Sequence, residues 1–294
     1  MDEDDQLEER FEEHRPHLRS VAYRMLGSFA EADDAVQEAW LRARAADSNE
    51  VENLGGWLTT IVARVCLNQL RSRGRRREDP LDVHMADPVV VRLDLPDPEQ
   101  QALLADAVGL ALQVVLEALA PAERVAFVLH DLFAVPFDDI ADLVGRTPTA
   151  TRQMASRARR RVQDAAPAPD VDLAHQRLVV EAFFAAARDG DLDGLVAVLH
   201  PDAVLRSDGG TRPAATAVVR GAEEVASRAL LFRQGAEWVH HVVVNGVAGV
   251  VVAPRGRPTT VMAFTVVGDR IVAIDALADV RRVAALGLDV SGWR

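Results

Sequence analysis

Pro136-Phe137-Asp138-Asp139-Ile140-Ala141-Asp142-Leu143-Val144-Gly145-Arg146-Thr147-Pro148-Thr149-Ala150-Thr151-Arg152-Gln153-Met154-Ala155-Ser156-Arg157-Ala158-Arg159-Arg160-Arg161 holds two helical patterns and the punctuation between them. Ile140, Ala141 and Val144 fall on the inner face of a short helix from Phe137 to Val144. Gly145 supplies its left-handed stop. Thr147 can cap the next helix, with Pro148 at the first helical position. Along that helix Met154, Ala155, Ala158 and Val162 recur at helical spacing and turn inward. Thr149, Arg152, Gln153, Ser156, Arg157 and Arg160 are left outside. This is the layout of a helix-turn-helix, whose second helix enters the major groove. Arginine can bind guanine in bidentate fashion and Gln153 can bind adenine. Arg159 to Arg161, near the helix end, suit phosphates. The competing reading is a plain helical hairpin with a basic solvated face.

Charge is distributed to match. The formal net charge of −12 argues against nucleic acid if taken alone. Yet every basic residue is arginine, and six arginines without a carboxylate lie between Arg146 and Arg161. Six more (Arg64, Arg71, Arg73, Arg75, Arg76 and Arg77) lie between Thr59 and Arg77, again with no carboxylate. Phosphate binding follows local charge, not the chain total. Coding bias explains the missing lysine. It does not explain why carboxylates vanish from two windows of an acidic chain.

Outward from these windows the chain divides in three. Its 294 residues suffice for two or three domains of roughly 100–150 residues each. The prolines at 80, 88, 96 and 98 break the segment 78–100, and Ala165-Ala166-Pro167-Ala168-Pro169-Asp170 forms a short semi-rigid linker. The expected domains are 1–77, 101–165 and 173–294, joined by linkers at 78–100 and 166–172. The first is helical: a stripe of Leu18, Val21, Ala22, Met25 and Leu26 closed by Gly27-Ser28, a helix from Glu31 to Ala46, and a third from Trp57 to about Ser72. A helix from Gln101 to Ala118 opens the second. The third begins with helices at Leu173–Arg188 and Leu192–Leu199. Runs of β character follow at Ala203–Arg206, Val242–Val244, Gly249–Val252, Thr259–Val267 and Arg270–Leu277, with a two-residue hairpin loop at Gly268-Asp269. The expected class is two all-α domains followed by an α+β domain. An acidic N-terminus and the lack of an apolar run long enough to span a bilayer predict a cytoplasmic protein. Cys66, the single cysteine, reads as a buried thiol, with no disulfide and no cysteine-cluster metal site.

The helix from Glu31 carries two stripes. Ala35, Val36, Ala39, Trp40 and Ala43 form a core face, while Asp34, Gln37, Glu38 and Leu41 form a polar face that ends in an exposed leucine. A leucine among carboxylates suits a protein contact. Here the chain resembles the sigma factors of bacterial RNA polymerase. Ala32-Asp33-Asp34-Ala35-Val36-Gln37-Glu38-Ala39-Trp40 is similar to the region 2 helix that docks on the polymerase clamp. The resemblance implies polymerase contacts from Asp33, Asp34, Gln37, Glu38 and Leu41. Leu54-Gly55-Gly56-Trp57-Leu58-Thr59-Thr60-Ile61-Val62-Ala63-Arg64-Val65-Cys66-Leu67-Asn68-Gln69-Leu70-Arg71 is similar to the helix that opens the minus-ten element. With the preceding loop it implies minus-ten contacts from Asn49, Asn53, Arg64, Asn68, Arg71 and Arg73; amides suit base edges and arginines suit backbone. Leu119-Ala120-Pro121-Ala122-Glu123-Arg124-Val125-Ala126-Phe127 and the helix-turn-helix resemble region 4, which reads the minus-thirty-five element through the outward set from Thr149 to Arg160. The short span between the two regions is similar to the extracytoplasmic-function (ECF) group. Core RNA polymerase and promoter DNA are the implied partners, with no cofactor and no metal.

Residues from about Leu173 resemble a SnoaL-like cone of the NTF2-like superfamily. A subgroup of ECF factors carries this fusion, with two motifs that correspond here to Asp208-Gly209-Gly210 and Asn245-Gly246-Val247-Ala248-Gly249. The resemblance gives Asp208, Gly209, Gly210, Asn245, Gly246 and Gly249 a regulatory role. The subgroup's tryptophan-containing linker motif is not matched; only Leu93-Asp94-Leu95-Pro96-Asp97-Pro98 stands there. SnoaL-like folds can also be enzymes, and His200, Asp202, Asp208, His240, His241 and Asp275 are the candidate bases. His240 and His241 adjoin on a strand and point to opposite faces, which does not suit a shared metal. Three readings follow. One is a promoter-directing factor regulated by its own C-terminal domain, whose cone can take a small molecule. The second is a helix-turn-helix regulator independent of polymerase, and the third a DNA-tethered cyclase or isomerase.

Overall fold

The computed structural model describes residues 3–46, 51, 53–76, 85–92, 116, 119–165, 172–231 and 233–293. Asn49, most of the helix expected at 101–118, and residues 166–170 lie outside them. The chain forms two compact units. One comprises Met1–Pro80 with Gln113–Ala165; the other comprises Leu81–Leu112 with Ala166–Arg294.

The first unit is all helical among its described residues: α1 Glu3–Leu26, α2 Phe29–Arg44, α3 Leu54–Arg76, α4 Pro121–Phe127, α5 Phe137–Val144 and α6 Pro148–Ala165. The expected stripe on α1 is fully buried, together with Phe11, against Ala35, Val36 and Ala39 of α2 and Leu58, Val62 and Cys66 of α3. Burial pushes the Cys66 thiol pKa up, which leaves it protonated and inert. Helix α3 starts three residues before the expected Trp57. Asn53 Oδ1 accepts the Gly56 N–H at 3.0 Å, so the helix is capped from Asn53 and the Gly55-Gly56 pair sits inside its first turn. Helix α4 runs into a wider turn at Val128–Leu132. Arg124 on α4 is almost completely buried and donates to the Met25 carbonyl at 2.7 Å and the Leu116 carbonyl at 2.6 Å. It satisfies acceptors that helix ends leave open.

Helices α5 and α6 pack as the sequence predicts. Gly145 ends α5 with φ +70°. Thr147 Oγ1 accepts the Ala150 N–H at 3.2 Å, and α6 starts at Pro148. Ile140, Ala141 and Val144 are buried against Met154, Ala155 and Ala158.

Among its described residues the second unit holds four α-helices, α7 Leu173–Asp189, α8 Leu192–Val198, α9 Ala222–Leu231 and α10 Val280–Ala285. Its strands are β1 Val90–Arg92, β2 Leu199–Asp208, β3 Ala217–Arg220, β4 Val239–Val244, β5 Val247–Val252, β6 Thr260–Val267 and β7 Arg270–Leu277. They form one sheet in the order β1-β4-β5-β6-β7-β2-β3. Only β2 and β7 run parallel. This is the α+β arrangement expected of the third domain. Both faces of the sheet are apolar. Val180, Phe183 and Phe184 of α7 and Val225 of α9 pack with Val250 and Phe264 on one face. Val242, Val244, Val251 and Val261 pack with Met85, Val283 and Val290 on the other. Burial on both sides explains why these strands read as unbroken valine runs instead of alternating.

The segment expected to be a low-order tether contributes to that sheet. Within residues 85–92, Met85 and Ala86 are fully buried, and β1 pairs antiparallel with β4 in the register Val90↔Val244, Val91↔Val243, Arg92↔Val242. Pro88 breaks helices, as expected, but an edge strand tolerates a proline just outside its paired residues.

Candidate nucleic-acid interface and linker clamp

Helix α6 presents one basic face. Thr149, Arg152, Gln153, Arg157 and Arg160 are exposed and Ser156 is half-exposed, all on the side away from the core. Their surroundings divide them. Arg157 lies 3.9 Å from Glu123, Arg161 is 2.8 Å from the same carboxylate, and Arg159 pairs with Asp131. Arg152 instead lies over the Phe137 ring, 5.2 Å from its centroid. No carboxylate among the described residues pairs with Arg152 or Arg160. The helix therefore combines arginines already braced by carboxylates with two that are open to a ligand.

On α3 the residues Arg64, Asn68 and Arg71 are exposed at spacings of four and three, which places them on one face. Trp57, Thr60 and Ile61 continue that face toward the N-terminus and are half-buried; sequence reasoning missed them, though the same spacing would have found them. Two residues of the expected set are occupied within the fold. Arg73 donates to the Leu26 carbonyl at 3.0 Å and pairs with Glu31, tying α3 to the α1–α2 corner. Asn53 caps α3 through its Oδ1.

On α2 the polar stripe is exposed. Asp33 pairs with Arg19 at 2.6 Å and Glu38 with Arg42 at 2.5 Å. Asp34 and Gln37 are exposed, and Leu41 stands out with 61% of its surface in solvent.

The two C-terminal motifs meet at the linker. Asp208, nearly fully buried, accepts the Met85 N–H at 2.9 Å and the Gly210 N–H at 2.9 Å. Gly209 has no room for a side chain; a Cβ there would lie 2.5 Å from Ala215 Cβ and 2.8 Å from two backbone atoms. Gly210 has φ +59° and is overlain by Asp279. Asn245 and Gly246 both have positive φ, 49° and 83°, and make the tight turn between β4 and β5. Asn245 Oδ1 accepts the Val89 N–H at 2.8 Å, and the Asn245 backbone N–H donates to the Val89 carbonyl at 2.9 Å. Gly249 faces Val244 and the Met262 carbonyl, where a Cβ would sit at 2.4–2.5 Å. Arg282, which sequence reasoning did not single out, completes the clamp. Its guanidinium donates to Asp87 Oδ1 at 2.6 and 2.9 Å, to Asp208 Oδ2 at 2.8 Å, and to the Met85 carbonyl. Arg92 lies over the Trp293 ring at 5.7 Å.

The comparisons with known proteins agree with this geometry. Residues 10–76 match the Sigma-70 region 2 model and residues 109–162 the Sigma-70, region 4 model. ECF RNA polymerase sigma factor SigJ of Mycobacterium tuberculosis is 46% identical over 218 residues, covering 73% of this chain and 69% of that protein. The chain belongs to the ECF RNA polymerase sigma factors. Probable ECF RNA polymerase sigma factor SigI of the same organism is 39% identical over 204 residues, covering 68% of this chain and 69% of that protein. The crystal structure of the M. tuberculosis SigJ factor superposes with a TM-score of 0.73 at 38% identity, covering 93% of this chain and 97% of that one.

As a sigma factor the chain joins core RNA polymerase and directs initiation at promoters; it is not an enzyme. The candidate bases in the cone fit that conclusion. Asp275 shares a sheet face with its cross-strand neighbour Ala263, on the side packed by Met85 and Val283, and pairs with Arg206 at 2.6 Å. Burial raises its carboxyl pKa, and the adjacent guanidinium works against that rise. Asp208 is committed to the clamp. His240 packs edge-on to Trp293 and His241 edge-on to Phe184, on opposite faces as their alternation requires. His200 Nδ1 accepts the Asp202 N–H at 3.1 Å at the exposed start of β2. Among the described residues, no helix of the sigma factor is long and apolar enough to cross a membrane.

Proposed function

We propose that this sigma factor reads promoter DNA with two separate exposed faces and engages polymerase with a third. Arg152, Gln153 and Arg160, with Thr149, Ser156 and Arg157 around them, meet the minus-thirty-five duplex in the major groove. Arg64, Asn68 and Arg71 hold the strand exposed at the minus-ten element, with Trp57 offering a ring on which an unstacked base can lie. The observation that carries this reading is local charge: no carboxylate among the described residues pairs with Arg64, Arg71, Arg152 or Arg160. Arg73 and Asn53 serve these faces indirectly, by fixing the two ends of α3. Asn49, four residues before Asn53 in the sequence, is assigned a base contact. The work is done in the cytoplasm, where polymerase and chromosome meet.

The α2 face of Asp33, Asp34, Gln37, Glu38 and Leu41 is the polymerase contact. Leu41→Glu will weaken binding to core polymerase by about 30-fold, roughly 2 kcal/mol, because an apolar anchor is lost and a charge must be desolvated. An exposed site tolerates the change, so thermal stability will stay within about 0.5 kcal/mol of the parent. Titration of labelled protein with core enzyme reads the first quantity; unchanged affinity would remove Leu41 from the interface.

The C-terminal unit regulates by holding the linker. Met85, Asp87, Val89 and the β1 backbone are bound by Asp208, Asn245, Arg282 and β4. These residues belong to the chain that connects region 2 to region 4, so docking restricts the freedom of that connection.

A further inference from the structure

A cavity of about 370 Å³ opens on the helix-covered side of the sheet in the second unit. That volume falls in the usual range for small-molecule sites, about 300–1,000 Å³. Phe184, Val225, Met262 and Ile274 give it apolar walls, and Ser207, Arg228 and Arg233 supply polar groups. Among the described residues its lining contains two arginines and no aspartate, glutamate or histidine. A cavity of that composition favours an apolar body with a negative head and gives no base or acid to transform it. Arg228 is partly engaged, donating to the Ala214 carbonyl at 2.8 Å. Arg233 is exposed and pairs with no described carboxylate, which makes it the stronger candidate for the head group.

The wall of this cavity is the back of the linker clamp. Successive residues on a strand face opposite ways. Ser207 therefore points into the cavity while Asp208 points to Met85 and Arg282. Ser207 Oγ donates to the carbonyl of Ala215, another lining residue, at 2.6 Å. Ala278 also lines the cavity; its N–H donates to the Asp208 carbonyl at 2.7 Å. The next residue, Asp279, caps α10, the helix that carries Arg282. Two short segments thus bound both the cavity and the clamp.

We propose that the cone binds a small amphipathic anion, a carboxylate on an apolar body, and that its occupancy is thermodynamically coupled to docking of residues 85–92. The coupling builds on the regulatory reading of the clamp given above, whereas binding itself is read without transcription. Octanoate and the uncharged 1-octanol, titrated calorimetrically into the full chain, test it. Octanoate should bind one equivalent at least about tenfold more tightly than octanol, the selectivity expected of a hydrogen bond to a charged group. Arg233→Gln should bring octanoate down to the octanol level, and Met262→Trp, which fills the cavity, should remove both. Equal binding of acid and alcohol, absence of binding, or full binding by Met262→Trp overturns the site. Arg282→Ala lies across the sheet from the cavity and should change octanoate affinity by about threefold or more if the two are linked. Unchanged affinity in that variant overturns the coupling alone, and failure of the clamp to affect transcription would leave the binding result standing.

Discussion

Arg282→Ala will release the linker from the sheet of the C-terminal unit. The guanidinium neutralises two buried carboxylates, Asp87 and Asp208, and satisfies the Met85 carbonyl. Its own side chain is 20% exposed, and the carboxylates are 10% and 5% exposed, so solvent replaces little of what is lost. Removing one partner of such a group typically costs about 3–5 kcal/mol when fully buried, and about 2–4 kcal/mol is expected for this partly exposed cation. Amide exchange at Met85 and Val89, whose N–H groups are held by Asp208 and Asn245, should accelerate by about 30- to 1,000-fold, the same free energy read through local opening. Val250 and Val251, on the central strand β5, should exchange at nearly the parent rate. If all of these amides accelerate together, the variant has unfolded the domain; Asp87→Ala, whose altered side chain is on the linker, then repeats the test. Parent-like exchange at Met85 in both variants would mean that the clamp does not hold the linker.

The second large effect is expected at Arg152. Its guanidinium is exposed and rests on the Phe137 ring, which reduces the conformational freedom it must lose on binding. Arg152→Ala should cost about 1–3 kcal/mol in promoter affinity and relax preference at one base pair. Arg160→Ala should weaken binding to all sequences by similar factors and lower the salt dependence by about one phosphate contact. Affinity measured against a set of single-base promoter variants at two salt concentrations separates the two. A uniform loss for Arg152→Ala would move it to the phosphate class.

Features of the fold that depend on neighbouring residues were legible in the sequence. Gly145, Thr147 and Pro148 act within one turn of themselves, so the helix-turn-helix could be placed to the residue. The same holds for the apolar stripes of α1 and α2 and for Gly268 between β6 and β7. Features that depend on distant partners were not. Val89-Val90-Val91 is too short and too close to Pro88 to announce a strand, and its partner β4 lies about 150 residues away. The parallel pairing of β2 with β7 has no local signal either. Among site residues, outward position on α6 and α3 was predictable from periodicity, whereas the pairing of Arg73 with Glu31 and the capping by Asn53 required the fold. Asp208 and Asn245 were singled out by resemblance; their chemistry, as acceptors for linker amides, became visible only with the linker in place. Arg282 carried no signal in a chain whose basic residues are all arginine.

If the clamp controls promoter recognition by the helical unit, releasing the linker must change transcription. Run-off transcription tests it most directly, using core polymerase and a promoter selected with the full chain. The full chain, Arg282→Ala and a chain ending at Ala166 are compared at equal concentration. Specific transcripts are expected from the full chain, with yields from the two altered proteins that differ from it by about threefold or more. Equal yields from all three would contradict control by the clamp.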